Sequence, residues 1–218
     1  MDSVFWLERW QQGQIGFHQD EYNPYLIESW GQLAISAPSS VFVPLSGKSL
    51  DMLWLRSQGY QVIGVEVAEQ ACQAFFIENK LCFEHSQAQG FSIYQGDGIT
   101  LYCGDFFHLT ADMLEGVSAV YDRAAMVAMP GELRLKYIQH LRSIIPKQAA
   151  IFLVTMEYDQ QEMDGPPFAV PAQEVSSSYD DAYHVTALLT QNVLDANQRF
   201  RERGVSELYE TVYTIEPR

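Results

Sequence analysis

The chain has 218 residues, 47% of them hydrophobic, and carries a formal net charge of −15 at pH 7. That size suffices for one sizeable core with no need of a second domain, and the charge repels nucleic-acid phosphates and anionic lipid head groups, so neither is an expected partner. The three cysteines, Cys72, Cys82 and Cys103, show no Cys-x-x-Cys spacing, which argues against a disulfide framework or a thiolate zinc site and fits a reducing cytoplasm. No apolar run approaches membrane-spanning length, and Met1 to Trp10 lacks the basic-then-apolar order of a signal peptide.

Asn23 and Pro24, followed by Tyr25, Leu26, Ile27 and Trp30, read as an N-cap, a proline at the first helical position and an apolar face. The β-branched run at Val41 to Leu45 predicts a strand, broken by Ser46-Gly47-Lys48-Ser49 before Leu50, Met52, Leu53 and Leu55 recur at helical spacing. Tyr60 to Val67 reads as the next strand, closing a βαβ unit, and Ala68 to Lys80 as a helix. Phe91–Tyr94 and Ile99–Cys103 flank Gly96-Asp97-Gly98, a hairpin turn signal. Val117 to Tyr121 predicts a strand, Glu132 to Ile145 a helix, and Ala149 to Thr155 a strand buried on both faces. Asp159 to Pro171 is too proline-rich for a regular element and is placed like an active-site loop. Tyr183–Leu194 and Val205–Ile215 read as strands separated by a short polar helix. The expected architecture is an open α/β sheet of about seven mostly parallel strands with an antiparallel edge and helices on both faces.

Ligands of such sheets sit beyond the carboxyl ends of the strands, so the residues after each strand are the informative ones. Gly47 would let the backbone approach a ligand closely. Glu66 lies 19 residues after Gly47, a spacing that brings an acid to the hydroxyls of a nucleoside ribose. Cys103-Gly104-Asp105-Phe106 offers a carboxylate and an aromatic edge for an adenine. The first turn has one glycine where a dinucleotide fingerprint needs three, and Phe42 stands where a P-loop requires glycine. An adenosine ligand without phosphates, S-adenosylmethionine, suits the acid without an anion cradle.

Several segments in order resemble the thiopurine S-methyltransferase family: Phe5–Trp10, Gly16–Gln19, Val43–Lys48, Gly64–Glu66, Tyr121–Ala128 and Gly165–Phe168. The resemblance spans nearly the whole chain. It implies the class I S-adenosylmethionine-dependent methyltransferase fold as a single domain over residues 1–218, with an N-terminal helical segment of about residues 1–38 covering the cofactor site. It implies cofactor contacts at Trp10, Leu45, Glu66 and Arg123, with Asp105 and Phe106 near the adenine, and it places Phe17 against an aromatic substrate. Ser46 and Asp105 depart from the residues found in the animal enzymes. The implied acceptors are aromatic or heterocyclic thiols, and the bacterial members add selenium or tellurium compounds and metalloid resistance.

Methyl transfer to sulfur is an in-line displacement that demands alignment before anything else. A thiol of pKa about 8.5 ionises readily enough that no general base is obligatory, and the sequence presents no catalytic dyad. Arg123 is expected to steady the incoming anion, and Trp10 to offer its ring face to the sulfonium. Without the family pattern, Trp6, Trp10 and Phe17 read as the apolar side of a helix, and His18 as a structural histidine. The remaining histidines have no ligand spacing, so no metal is expected. Alternative readings are a small-molecule O- or N-methyltransferase and a noncatalytic S-adenosylmethionine-binding module. A monomer is expected.

Overall fold

The computed structural model describes residues 3–218; Met1 and Asp2, part of the N-terminal segment read above, lie outside the described residues. Helix α1 (Ser3–Gln11) is followed by α2 (Pro24–Ser29), whose start is set as expected: the Asn23 side chain accepts from Tyr25 N and Leu26 N. Strand β1 (Ser40–Val43), α3 (Asp51–Ser57) and β2 (Gln61–Glu66) form the βαβ unit, continued by α4 (Glu69–Glu78). Three strands then run as an antiparallel meander: β3 (Glu84–Ala88), β4 (Phe91–Gly96) and β5 (Ile99–Cys103). The second half holds β6 (Val117–Arg123), α5 (Gly131–Ile144), β7 (Ala150–Glu157), α6 (Ala172–Tyr179), β8 (Tyr183–Asn192), α7 (Gln198–Glu202) and β9 (Tyr209–Pro217).

The strand order is β3-β4-β5-β2-β1-β6-β7-β9-β8, nine strands among the described residues. The central five, β5 through β7, are parallel, and antiparallel strands flank them on both sides rather than along one edge. The strand that no predicted segment covers is β3, Glu-His-Ser-Gln-Ala, exposed at every position. All five residues stay largely open to solvent, His85 alone among them stacking its ring on Tyr94, so the apolar alternation that predicts strands is missing. Its pairing follows from the turn at Gln89 and Gly90, both with positive φ, as Asp97 and Gly98 turn the next hairpin. At the other end, Val205 and Leu208 belong to a small cluster with Tyr158, Met163 and Val193, which is why β9 starts at Tyr209 and not at Val205.

Alternation along the central strands divides the core into two layers. Val41, Val43, Ala119, Tyr121 and Phe152 pack under α2, α3 and α4, while Phe42, Val120, Ile151 and Leu153 pack under α5 and α6. Burial of each large apolar side chain contributes about 1.5–3 kcal/mol, so both helix layers are held by the sheet. The chain leaves β1 for β2 on one side and returns to pair β6 on the other, which opens a crevice at the carboxyl ends of these strands. No helix among the described residues is long and apolar enough to cross a membrane.

Candidate active site

Strand β2 ends on Glu66, whose carboxylate is 6% exposed. One oxygen accepts from Gly47 N at 2.9 Å and the other from Ala68 N at 2.8 Å, so a single side chain joins the turns after β1 and β2. Burial pushes its pKa up to about 7 against the opposing pull of backbone amides at Ala68, Gly47 and Val67. A carboxylate has about four acceptor positions, so these two amides leave capacity on both oxygens for a pair of hydroxyls. Gly47 adopts φ +53°, and a Cβ there would lie 3.3 Å from the Trp10 ring. Leu45, two residues earlier, also has positive φ, as does Ala124 after β6. Two non-glycine residues in this sparsely populated region at adjoining strand ends mark the kind of local strain that the surrounding fold must impose.

A cavity of about 290 Å³ opens over these strand ends, with Leu45 and Glu66 on its wall. Trp6, Trp10 and Phe17 line one side; the Phe17 ring meets both tryptophans edge-on at 5.7 Å. Trp10 is itself anchored on Ala68 and Ala71 at the start of α4. Arg123, the last residue of β6, also lines the cavity and donates from Nε to Asp51 at 3.0 Å. Burial works against its charge, but Tyr121 and Asp51 beside it more than offset that, and its pKa moves up. Beyond Arg123 the cavity is bounded by Met156 of β7, Pro166 and Pro167 of the 159–171 loop, and Phe200 of α7.

Of the residues singled out from sequence, Trp10, Phe17, Leu45, Glu66 and Arg123 meet around this one cavity, and Gly47 is bonded to Glu66 at its edge. Asp105 and Phe106 are not among the residues lining it. Asp105 accepts from Phe107 N and caps a short 3-10 turn. Phe106 is 3% exposed and packs on Tyr137 and His140 in the core beneath α5. The segment touches the site's backbone through Gly104 N, which donates to the carbonyl of Glu66, and through Cys103 Sγ, 3.9 Å from the carbonyl of Val67. His18, outside the lining, sits 3.7 Å from Asp20; burial first, then Lys48, lowers its pKa.

Several site residues escaped the sequence reading. Arg9, Arg199, Arg203 and Glu210 line the cavity, and Arg199 crosses it to donate to Gly16 O at 2.9 Å. They come from an N-terminal helix, a five-residue polar helix with the residue that ends it, and the second residue of β9, one strand in from the sheet edge, places where a charged residue draws no notice in sequence. Burial raises the pKa of Glu210, opposed by Tyr25 and Arg123. Asp51 is an acidic residue in the first turn of α3, an ordinary place for one, and nothing in its sequence position sets it apart. A more open groove of about 470 Å³ lies against Gly131, Arg134 and Glu157, the last residue of β7, but Arg134 is engaged bidentately by Glu174 and none of the residues singled out from sequence as cofactor or substrate contacts lines it. No cluster of three or more His, Cys, Asp or Glu among the described residues could hold a metal ion.

The residues present fit an adenosine-based methyl donor: a buried acid with free acceptor capacity, a glycine turn closed by an indole, and no phosphate cradle. Comparison with known proteins agrees. Among solved structures, a Burkholderia thailandensis 1,6-didemethyltoxoflavin N1-methyltransferase with bound S-adenosylhomocysteine superposes with TM-score 0.63 at 14% identity, over 99% of this chain and 87% of that one. A Haemonchus contortus phosphoethanolamine N-methyltransferase 2 bound to S-adenosylmethionine gives 0.67 at 7% identity, over 100% of this chain and 57% of that one. These likenesses establish the methyltransferase fold. Thiopurine S-methyltransferases of Nitrosospira multiformis and Pseudomonas aeruginosa are each 47% identical, over 215 and 216 residues, covering 99% of this chain and 98% and 99% of theirs. The thiopurine S-methyltransferase family model matches residues 1–218, and the chain belongs to that family.

Proposed function

We propose that this enzyme, an S-adenosylmethionine-dependent S-methyltransferase of the thiopurine type, methylates aromatic or heterocyclic thiols and extends to selenium or tellurium compounds, acting as a cytoplasmic monomer. The observation that carries the reading is one cavity lined together by Glu66, Arg123 and the aromatic residues Trp6, Trp10 and Phe17. Bound there, the cofactor supplies an activated methyl group on a positively charged sulfur.

The chain's own residues do the rest. Glu66 accepts from the ribose hydroxyls, a charge-assisted bond worth about 1.5–3 kcal/mol. Gly47 lets the backbone come close, and Trp10 turns its ring toward the sulfonium for roughly 0.5–2 kcal/mol. Phe17 stacks on the acceptor ring. Arg123 holds the acceptor's anionic sulfur in line, so the main contribution is alignment and not proton removal. The N-terminal segment, from Ser3 to about residue 38, closes the cavity above Gly47 and excludes water.

Methyl transfer from labelled S-adenosylmethionine to matched aromatic thiols, selenium species, phenols and amines tests this, with cofactor binding followed by tryptophan fluorescence. Turnover confined to sulfur and selenium is expected. Transfer to phenols or amines would favour an O- or N-methyltransferase, and binding without transfer a noncatalytic module.

A further inference from the structure

We propose that Asp51 is a positioning residue: it holds the Arg123 guanidinium in its working orientation and fastens the same arginine to the N-terminal segment. The inference rests on the reading that Arg123 faces the acceptor. Asp51 opens α3, 1% exposed, and does not itself line the cavity. Three donors from two separate parts of the chain converge on it. Asn23 N reaches one oxygen at 2.8 Å, while Tyr121 OH at 2.9 Å and Arg123 Nε at 3.0 Å share the other.

The consequence for Arg123 follows from the guanidinium's shape. With Nε committed to Asp51, the plane of the group is set and its terminal nitrogens remain to meet a ligand, an arrangement that a lysine cannot reproduce. Asp51 has the converse need. A buried carboxylate left with neutral donors alone is costly, so any rotamer that withdraws Arg123 is penalised. The link to the N-terminal segment runs through Asn23, which lines the cavity, caps α2 with its side chain and gives its backbone N–H to Asp51. Seating of α2 and orientation of Arg123 therefore converge on one carboxylate.

The test is a double-mutant cycle in the full-length enzyme with Asp51→Asn, Arg123→Gln and the pair, reading kcat and KM for an aromatic thiol and the affinity for S-adenosylhomocysteine. Asp51→Asn is expected to lower kcat/KM about tenfold or more, the scale of one charge-assisted bond, and to add less than about twofold once Arg123 is already Gln. Asp51→Glu gives the second readout. A longer side chain at a site this enclosed harms packing more than Asn does, so a purely structural role predicts Glu to be worse than Asn. Positioning by charge predicts that Glu recovers activity relative to Asn. Losses that add in the double variant, or an Asp51→Glu enzyme poorer than Asp51→Asn, overturn the proposal. An Arg123→Gln enzyme with unchanged kcat/KM overturns the reading of Arg123 itself, and the proposal with it.

Discussion

At the Glu66 end of the cavity the recorded polar contacts are made by backbone amides of nearby turns, Gly47 and Ala68, on one side chain at a strand end. At the Arg123 end they are made by side chains and amides from remote elements: Asp51 of α3, Tyr121 of β6, Asn23 before α2, and Arg199 reaching back to Gly16. The first arrangement is a local consequence of one βαβ unit. The second exists only once the N-terminal segment, β6 and α7 have assembled. A site so divided ties the surroundings of Glu66, the proposed cofactor half, to one βαβ unit, and makes those of Arg123, the proposed acceptor half, depend on the assembly of distant elements.

The division is most directly broken at Glu66. Glu66→Ala removes the proposed ribose acceptor and leaves the Gly47 and Ala68 amides without it; S-adenosylhomocysteine affinity is expected to fall about ten- to hundredfold by calorimetry. Unchanged affinity would move the cofactor half elsewhere. Arg123→Lys keeps the charge but loses the planar fork and the Nε bond, and is expected to lower kcat/KM for thiols by about tenfold in steady-state assays. Should both parameters stay unchanged, Arg123 has no part in handling the acceptor.

A pH titration separates the two ends without mutation. Glu66 ionises near 7 in the free protein, above its ordinary 4.5, and the ionised form is the better acceptor for hydroxyls. Cofactor affinity is therefore expected to be full above about pH 7 and to fall toward tenfold per pH unit below it, a dependence absent in Glu66→Gln. The same shift makes the folded protein bind a proton that the unfolded chain releases, so this group's contribution to stability falls as pH rises from about 4.5 to about 7 and is flat beyond. An affinity independent of pH between 6 and 8 would contradict it.

What the sequence made legible follows the same line. Gly47 and Glu66 could be found because a turn, a helix and a strand fix their spacing, and strand β2 announces its end through a β-branched run. Asp51, Arg199, Arg203 and Glu210 could not, because their one shared property is a meeting point in space, and each sits where a charged residue is ordinarily solvated. Strand β3 was missed since an edge strand exposed on both faces carries no alternation to read. Phe106 shows the opposite failure. An aromatic residue just past a strand end looks the same in sequence whether it turns toward a ligand or into the core, and here it turns into the core with Tyr137.

Smaller effects sharpen the boundary of the cofactor half. Gly47→Ala forces a Cβ into a left-handed position 3.3 Å from Trp10, and is expected to cost about 1 kcal/mol of stability and to weaken cofactor binding several-fold. Phe106 lies outside that boundary, away from the cavity lining. Its ring fills space beneath α5 against Tyr137 and His140, while Asp105 beside it spends its carboxylate on capping a turn. Phe106→Leu should therefore cost about 1–2 kcal/mol in denaturant unfolding, from lost packing, and change S-adenosylhomocysteine affinity by less than about twofold. A large loss of affinity at near-native stability would return Phe106 to the adenine and extend the cofactor half across the end of β5, where Gly104 already bonds the backbone of Glu66.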